Sequence, residues 1–152
     1  MIQKNSLLYL LIIFLSNSSN ILAQEISKTL WAQFANAPFK EVFMKEYGSS
    51  AKVFDKSVAH DLPENKEITI SGYYIPVGDK RVIVISKFPY AQCFFCGGAG
   101  IESIMEILPK DKKKYKFKTD EKITFKGILI INDTEWQRAW FMLKDAVLIE
   151  KN

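Results

Sequence analysis

Two cysteines, one histidine and two arginines, Arg81 and Arg138, are all that this 152-residue chain has of those residue types, and each scarcity removes a class of function. Two cysteines cannot staple a small domain, so the fold must be held by burial. A single histidine, His60, leaves a cysteine nucleophile without a nearby base, and it supplies no second Cys/His pair for a structural zinc site. Two arginines give few planar forks for phosphate, which argues against a nucleic-acid partner. The glycine-rich stretch Gly97-Gly98-Ala99-Gly100 lacks the Lys-Ser/Thr that completes a phosphate loop. Asp120-Glu121, Asp133 and Glu135 stand in turn-like contexts and read as turn formers rather than paired acid and base. No catalytic residue is expected, and the chain reads as a non-enzyme.

The apolar run Leu7–Leu15 stops well short of the roughly 20 residues a spanning helix needs. Lys4 precedes it, polar residues 16–20 follow, and small Ala23 stands before Gln24. That is the layout of a leader, so residues 1–23 are expected to be removed on export to the periplasm or cell envelope. The remaining protein would not be an integral membrane protein. Removal takes one lysine and no acid, lowering the formal charge of +4 by one. Hydrophobic content of 48% and aromatic content of 13% suffice for a real core, so wholesale disorder is excluded.

Residues 24–65 read as an N-terminal helical or irregular segment lying on the body. Ile26, Leu30, Trp31 and Phe34 recur at helical spacing up to Pro38. Phe39, Val42, Phe43, Glu46 and Tyr47 are expected to add a further turn or two before Gly48, with 49–65 as a connection. From Lys66 the period becomes two, and 66–152 reads as an all-β domain. Ile68 and Ile70 alternate with polar residues. Beyond Gly72 the apolar phase moves to Tyr73, Ile75 and Val77, as in a bulged or sharply coiled strand. Gly78-Asp79 is a hairpin signal before the strand Val82–Ile85. Further strands are expected over 101–108, 123–131 and 140–149. Ile123-Thr124-Phe125-Lys126-Gly127 echoes Ile68-Thr69-Ile70-Ser71-Gly72. Two bent strands in a set of five favour a five-stranded OB-like barrel. The lysine-rich interval 109–121 has no apolar stripe for the helix such barrels often carry there, so a solvated loop or hairpin is expected. Trp31 and its neighbours would cover the barrel end instead.

Cys93-Phe94-Phe95-Cys96 is the one chemically distinctive motif. Thiols at this spacing can fill two of four tetrahedral positions around zinc, close a tight disulfide, or remain reduced. Zinc would take further ligands from His60, Asp61 or Glu102. Phe94, Phe95 and Trp136 are candidate contacts for an envelope protein partner, with one of the two phenylalanines covering the sulfurs and the other facing outward. The three readings of the thiol pair stand side by side.

Trp31, the strand Gly72-Tyr73-Tyr74-Ile75-Pro76-Val77, a second strand and a cysteine-bearing loop follow in an order that resembles the exported bacterial family of unknown function numbered 3299. The likeness covers roughly residues 66–149. In that family the loop reads cysteine, any residue, histidine, then prolines. Cys93 matches the cysteine, Phe95 stands at the histidine, and Cys96-Gly97-Gly98 replaces the prolines. The resemblance implies an envelope setting and a link with metal handling. The residues themselves support a binding or accessory module, or alternatively a thiol redox or sensor protein using the same pair.

Amino-terminal sequencing of the purified native protein is expected to begin at or near Gln24. Recovery of an intact Met1 from a membrane fraction would overturn the assignment of a leader.

Overall fold

The computed structural model describes residues 25–45, 48–55, 58, 62–78, 82–111, 115–133, 135 and 137–152. The expected leader, the Gly78-Asp79 hairpin, His60, Asp61 and Trp136 lie wholly or partly outside these residues. The first element is a helix over residues 25–35, α1. Its buried stripe is Ser27, Leu30, Trp31 and Phe34, spaced i, i+3, i+4, i+7 along one face. Ile26, expected in that stripe, is exposed, and Ser27 takes the inward position. A hydroxyl suits the place because it meets backbone: Ser27 Oγ donates to the Ser71 carbonyl at 3.2 Å and accepts from the Ser71 N–H at 2.9 Å. Trp31 Nε1 donates to the same carbonyl at 2.8 Å.

The expected second helical turn is a hairpin instead. Strand β1 (Phe39–Met44) pairs antiparallel with β2 (Ser49–Phe54), in a two-stranded sheet of its own. The connection expected over 49–65 therefore begins as strand. Phe39, Val42 and Phe43 stand at helical spacing, but in the strand Val42 turns to the opposite face from the two phenylalanines, and Gly48 at φ +61° adopts a backbone conformation that favours glycine ahead of β2. At the hairpin base Phe39 stacks on Trp140, with centroids 4.4 Å apart. Phe54 is buried against Phe39 and Phe141.

Five strands form the body: β3 (Glu67–Ile75), β4 (Ile83–Ser86), β5 (Ile104–Pro109), β6 (Lys122–Ile131) and β7 (Phe141–Lys151). They close into a barrel in the order β3-β4-β5-β7-β6. The β5–β7 pairing is parallel and the other pairings are antiparallel. This is the expected OB-like barrel. Residues 101–103, expected to begin the third of its strands, form a 3-10 turn ahead of β5.

Inside the barrel Ile70, Ile85, Met105, Ile123, Phe125, Leu129 and Leu143 are fully buried. Phe34 of α1 closes one end, stacked on Phe141 at 4.2 Å. Its complete burial contributes about 1.5–3 kcal/mol. Along the 110–121 interval no helix forms among the described residues. Tyr115 and Phe117 stack on each other and set their edges against Phe125, while Lys116 and Lys118 face solvent.

Gly72 is not a bulge. The β3–β6 register runs unbroken from Glu67↔Ile128 to Tyr73↔Lys122. The apolar phase changes because Ile75 belongs to a second apolar cluster on the outer face of the barrel. The glycine serves close approach: a Cβ there would stand 2.8 Å from the Ser86 carbonyl oxygen. Gly127 is likewise regular in its pairing with β3, and its missing Cβ would meet the Lys144 carbonyl oxygen at 2.7 Å. The extra residues lie opposite, in β7, where Asp145 takes φ +52° and the register with β6 shifts.

Alanine at Gly72 or Gly127 is expected to destabilise by roughly 1–3 kcal/mol, because the obstructing atoms are backbone. Denaturant unfolding of each variant measures this. A cost below about 0.5 kcal/mol would show that the strands separate freely at these crossings.

Candidate functional site

The loop joining β4 to β5, residues 87–103, is shaped by the outer apolar cluster. Ile75, Val84 and Ile104 project outward from neighbouring strands, and Cys93 is seated among them with no exposed surface. Ala139, from the loop joining β6 to β7, and partly buried Val77, Val82 and Ile101 complete the cover. In barrels of this kind the corresponding outer face is a common ligand platform. Here the chain's own cysteine fills it.

Two 3-10 turns, Tyr90–Gln92 and Phe94–Cys96, carry the chain to and from that seat. The Cys93 carbonyl accepts from Cys96 N–H and from Gly98 N–H, both at 3.2 Å. A 3-10 repeat eclipses side chains three residues apart, which places Cys96 over Cys93. The two thiols lie near enough to influence each other's ionisation, and both are free. Gly97 ends the turn at φ +74°, and a Cβ on Gly98 would lie 2.7 Å from the Gln92 carbonyl oxygen. The run of small residues is thus required by the tightness of the reversal. Tyr90 N–H donates to Asp120 Oδ1 at 2.6 Å, tying the loop to the turn before β6.

The two sulfurs differ in access: Cys93 is buried and Cys96 exposed. The Cys96 thiol is pushed above the usual range, first by desolvation, then by the charge of Cys93 and the bond to it. A raised thiol carries less thiolate at neutral pH, the reverse of what a fast disulfide exchanger uses. The pair also sits between antiparallel strands, not at the head of a helix in a βαβ unit.

Phe94 and Phe95 do not divide as expected, with one covering the sulfurs. They are 36% and 50% exposed and meet edge to face at 5.4 Å. Adjacent residues of a 3-10 turn project about 120° apart, so both stay at the surface while Cys93 goes in. Glu102 is not brought to the sulfurs as a third ligand. Among the described residues, no three of His, Cys, Asp and Glu gather as a metal shell. Glu102 instead folds back over Gly100, where its carboxylate occupies the space a Cβ would need.

Next to Phe94 opens a cleft of about 560 Å³. One wall is the hairpin, with Met44, Ala51, Lys52 and Val53. The other is Phe94, Gly100 and Ile101, and Asn132, Asp133, Glu135 and Trp140 line the rest. Buried Asn132 organises this last segment: its Oδ1 accepts from Glu135 N–H at 2.9 Å, and its Nδ2 donates to the Glu135 carbonyl at 2.7 Å. Arg138 then reaches back to Glu106 on the outer face of β5, with Nη2 donating to Oε1 at 2.7 Å and Nε to Oε2 at 3.2 Å. The Glu106 bonds raise the guanidinium pKa further, against a smaller lowering by burial. Neither Asn132 nor Glu106 stands out in the sequence as a site residue. The only signal is an acid inside the apolar run Ile104–Leu108, which demands a partner when buried.

Alkylation of the native reduced protein is expected to modify Cys96 alone, with Cys93 reacting only after denaturation. Because the Cys96 thiol is raised, its rate at neutral pH should fall below that of a free thiol and continue rising at more alkaline pH. Peptide mass mapping across a pH series reads both, and equal labelling of the two cysteines would contradict the burial of Cys93.

Among the described residues, no helix is long and apolar enough to cross a membrane. No family model, no curated protein and no solved structure matches the chain.

Proposed function

We propose that the protein is an exported, non-catalytic binding module of the cell envelope, engaging a partner protein through the Cys93–Cys96 loop and the cleft beside it. The observation that carries this reading is exposed Phe94 lining a largely apolar cleft of ligand-site size, with exposed Phe95 packed edge to face beside it. Exposed large aromatics contribute little to folding, whereas buried at an interface they rank among the strongest contributors to affinity. The leader-like segment 1–23 supports export. Absence of a catalytic constellation in the sequence supports a binding role, with Cys93 acting as the plug that holds the loop in place.

A second reading, a thiol redox or sensor protein, is favoured by one specific observation: the two cysteines are free, stand three residues apart in one tight turn, and interact electrostatically. Oxidation would join them with loss of two hydrogens and no large rearrangement of the turn. Zinc held by Cys93 and Cys96 would draw further ligands from His60 and Asp61, or from a second chain.

A photo-crosslinking amino acid placed at Phe95 in the native cell is expected to yield a discrete protein adduct in the envelope fraction. The same probe at Lys116 should yield none. No adduct at position 95 would sink the binding reading. The mass of the native protein, alone and after thiol blocking, tests the others: a deficit of two hydrogens supports the redox reading, and a retained metal supports zinc.

A further inference from the structure

The cleft has a wall that is main chain. Asp55 N–H donates to the Pro38 carbonyl at 2.9 Å, which sets the alternation of bonded pairs along the β1–β2 ladder. In an antiparallel ladder every second residue turns its N–H and C=O to the partner strand. With the register Lys40↔Val53, Glu41↔Lys52, Val42↔Ala51, the residues facing β1 are Val53 and Ala51, and Lys52 turns its N–H and C=O outward. The side chains agree. Met44, Ala51 and Val53 share one face of the hairpin and line the cleft, while the Lys52 side chain projects from the opposite face. Lys52, which also lines the cleft, therefore presents its backbone at the outer edge of β2, which among the described residues pairs with β1 alone. Its outward amide and carbonyl take no hydrogen bond from the described residues.

We propose that this cleft binds an extended peptide segment of the partner protein, added as a third strand on the edge of β2. This rests on the binding reading above and specifies its mode. The unpaired donor and acceptor of Lys52 select polypeptide backbone, and the apolar face selects what flanks it. The peptide residue opposite Lys52 shares its face, where an acidic side chain gives a favourable cross-strand pair. Its two neighbours turn to the other face, toward Ala51, Val53, Phe94 and Trp140, where large apolar side chains fit and Glu135 disfavours acids. The recognised pattern is an acidic residue between two large apolar ones. A second copy of this chain does not meet it: pairing β2 with its own copy about Lys52 sets two lysines opposite each other, which is destabilising.

Short linear peptides displayed on phage, selected against the intact mature protein, test this. Enrichment of the apolar–acidic–apolar pattern is expected. N-methylation of a selected peptide at the acidic residue should weaken binding by about tenfold or more, while methylation at either neighbour, whose amide turns away, should change it little. Lys52→Pro removes the outward N–H at an edge position that tolerates proline and should lose binding similarly. Lys52→Ala should retain most of it, and the two variants' melting transitions should coincide if the hairpin is intact. Selected peptides that lose binding on Phe94→Ala but ignore N-methylation and Lys52→Pro would overturn strand addition while leaving the binding reading standing. Failure of any peptide to enrich would overturn strand addition, and the binding reading falls separately, on the cross-linking at residue 95.

Discussion

Ile75, Val84 and Ile104 point away from the barrel interior, and covering them is the requirement on which the surface of this protein is built. A closed barrel buries only the inner side of each strand, so three aliphatic side chains on adjacent strands would otherwise leave an apolar patch in water. The chain solves this by folding residues 87–103 over them and setting Cys93 at the centre. A thiol is small and apolar enough for the place. Once Cys93 is fixed inward, the short period of the turn fixes its neighbours: Cys96 above it, Phe94 and Phe95 outward.

The segment 132–140 answers the same demand from the other side. Ala139 joins the outer cluster, and Arg138 covers Glu106, an acid that shares the outer face of β5 with Ile104. Removing the arginine would leave a buried carboxylate without a partner, whereas the pair itself adds little net stability over an apolar one. Its effect is positional. It holds the chain around Asn132 and Trp140 against the barrel, and Trp140 in turn stacks on Phe39 and orients the hairpin. The cleft lies where these independently anchored segments meet.

The strands were legible in the sequence because alternation with β-branched residues leaves few other interpretations, as in Ile68–Ile70 and Ile123–Ile131. The echo between the two Ile-Thr segments ending in Gly72 and Gly127 marks residues that face the same crowded interior, although close approach, and not bulging, is what they serve. The apparent phase slip after Gly72 was misleading for a physical reason: period-two reasoning assumes one buried face, and β3 has two. The hairpin was missed because Phe39, Val42 and Phe43 mimic a helical stripe, and in a strand of six residues with both faces partly apolar the alternation that would oppose it is absent. At the site, the spacing of the two cysteines placed both in one short loop, and the structure carries them on two consecutive 3-10 turns. The separation of Cys93 from Cys96 in depth, and the roles of Asn132, Glu106 and the edge of β2, depend on contacts between segments far apart in sequence, which no local pattern encodes.

The parallel contact between β5 and β7 has a consequence for how the molecule comes into being. Among the described residues β7, 11 residues long, is the strand that joins β5 to β6, and it carries Phe141, on which Phe34 of α1 rests. A chain emerging from its amino end therefore presents α1, the β1–β2 hairpin and four barrel strands that cannot complete a closed ladder. The β3–β6 pairing can form without it, but the β5–β7 and β6–β7 ladders that close the barrel wait for this late segment, and loop closure over such separations is slow. Until β7 arrives, β5 and β6 keep open edges, and the barrel closes only with its last strand.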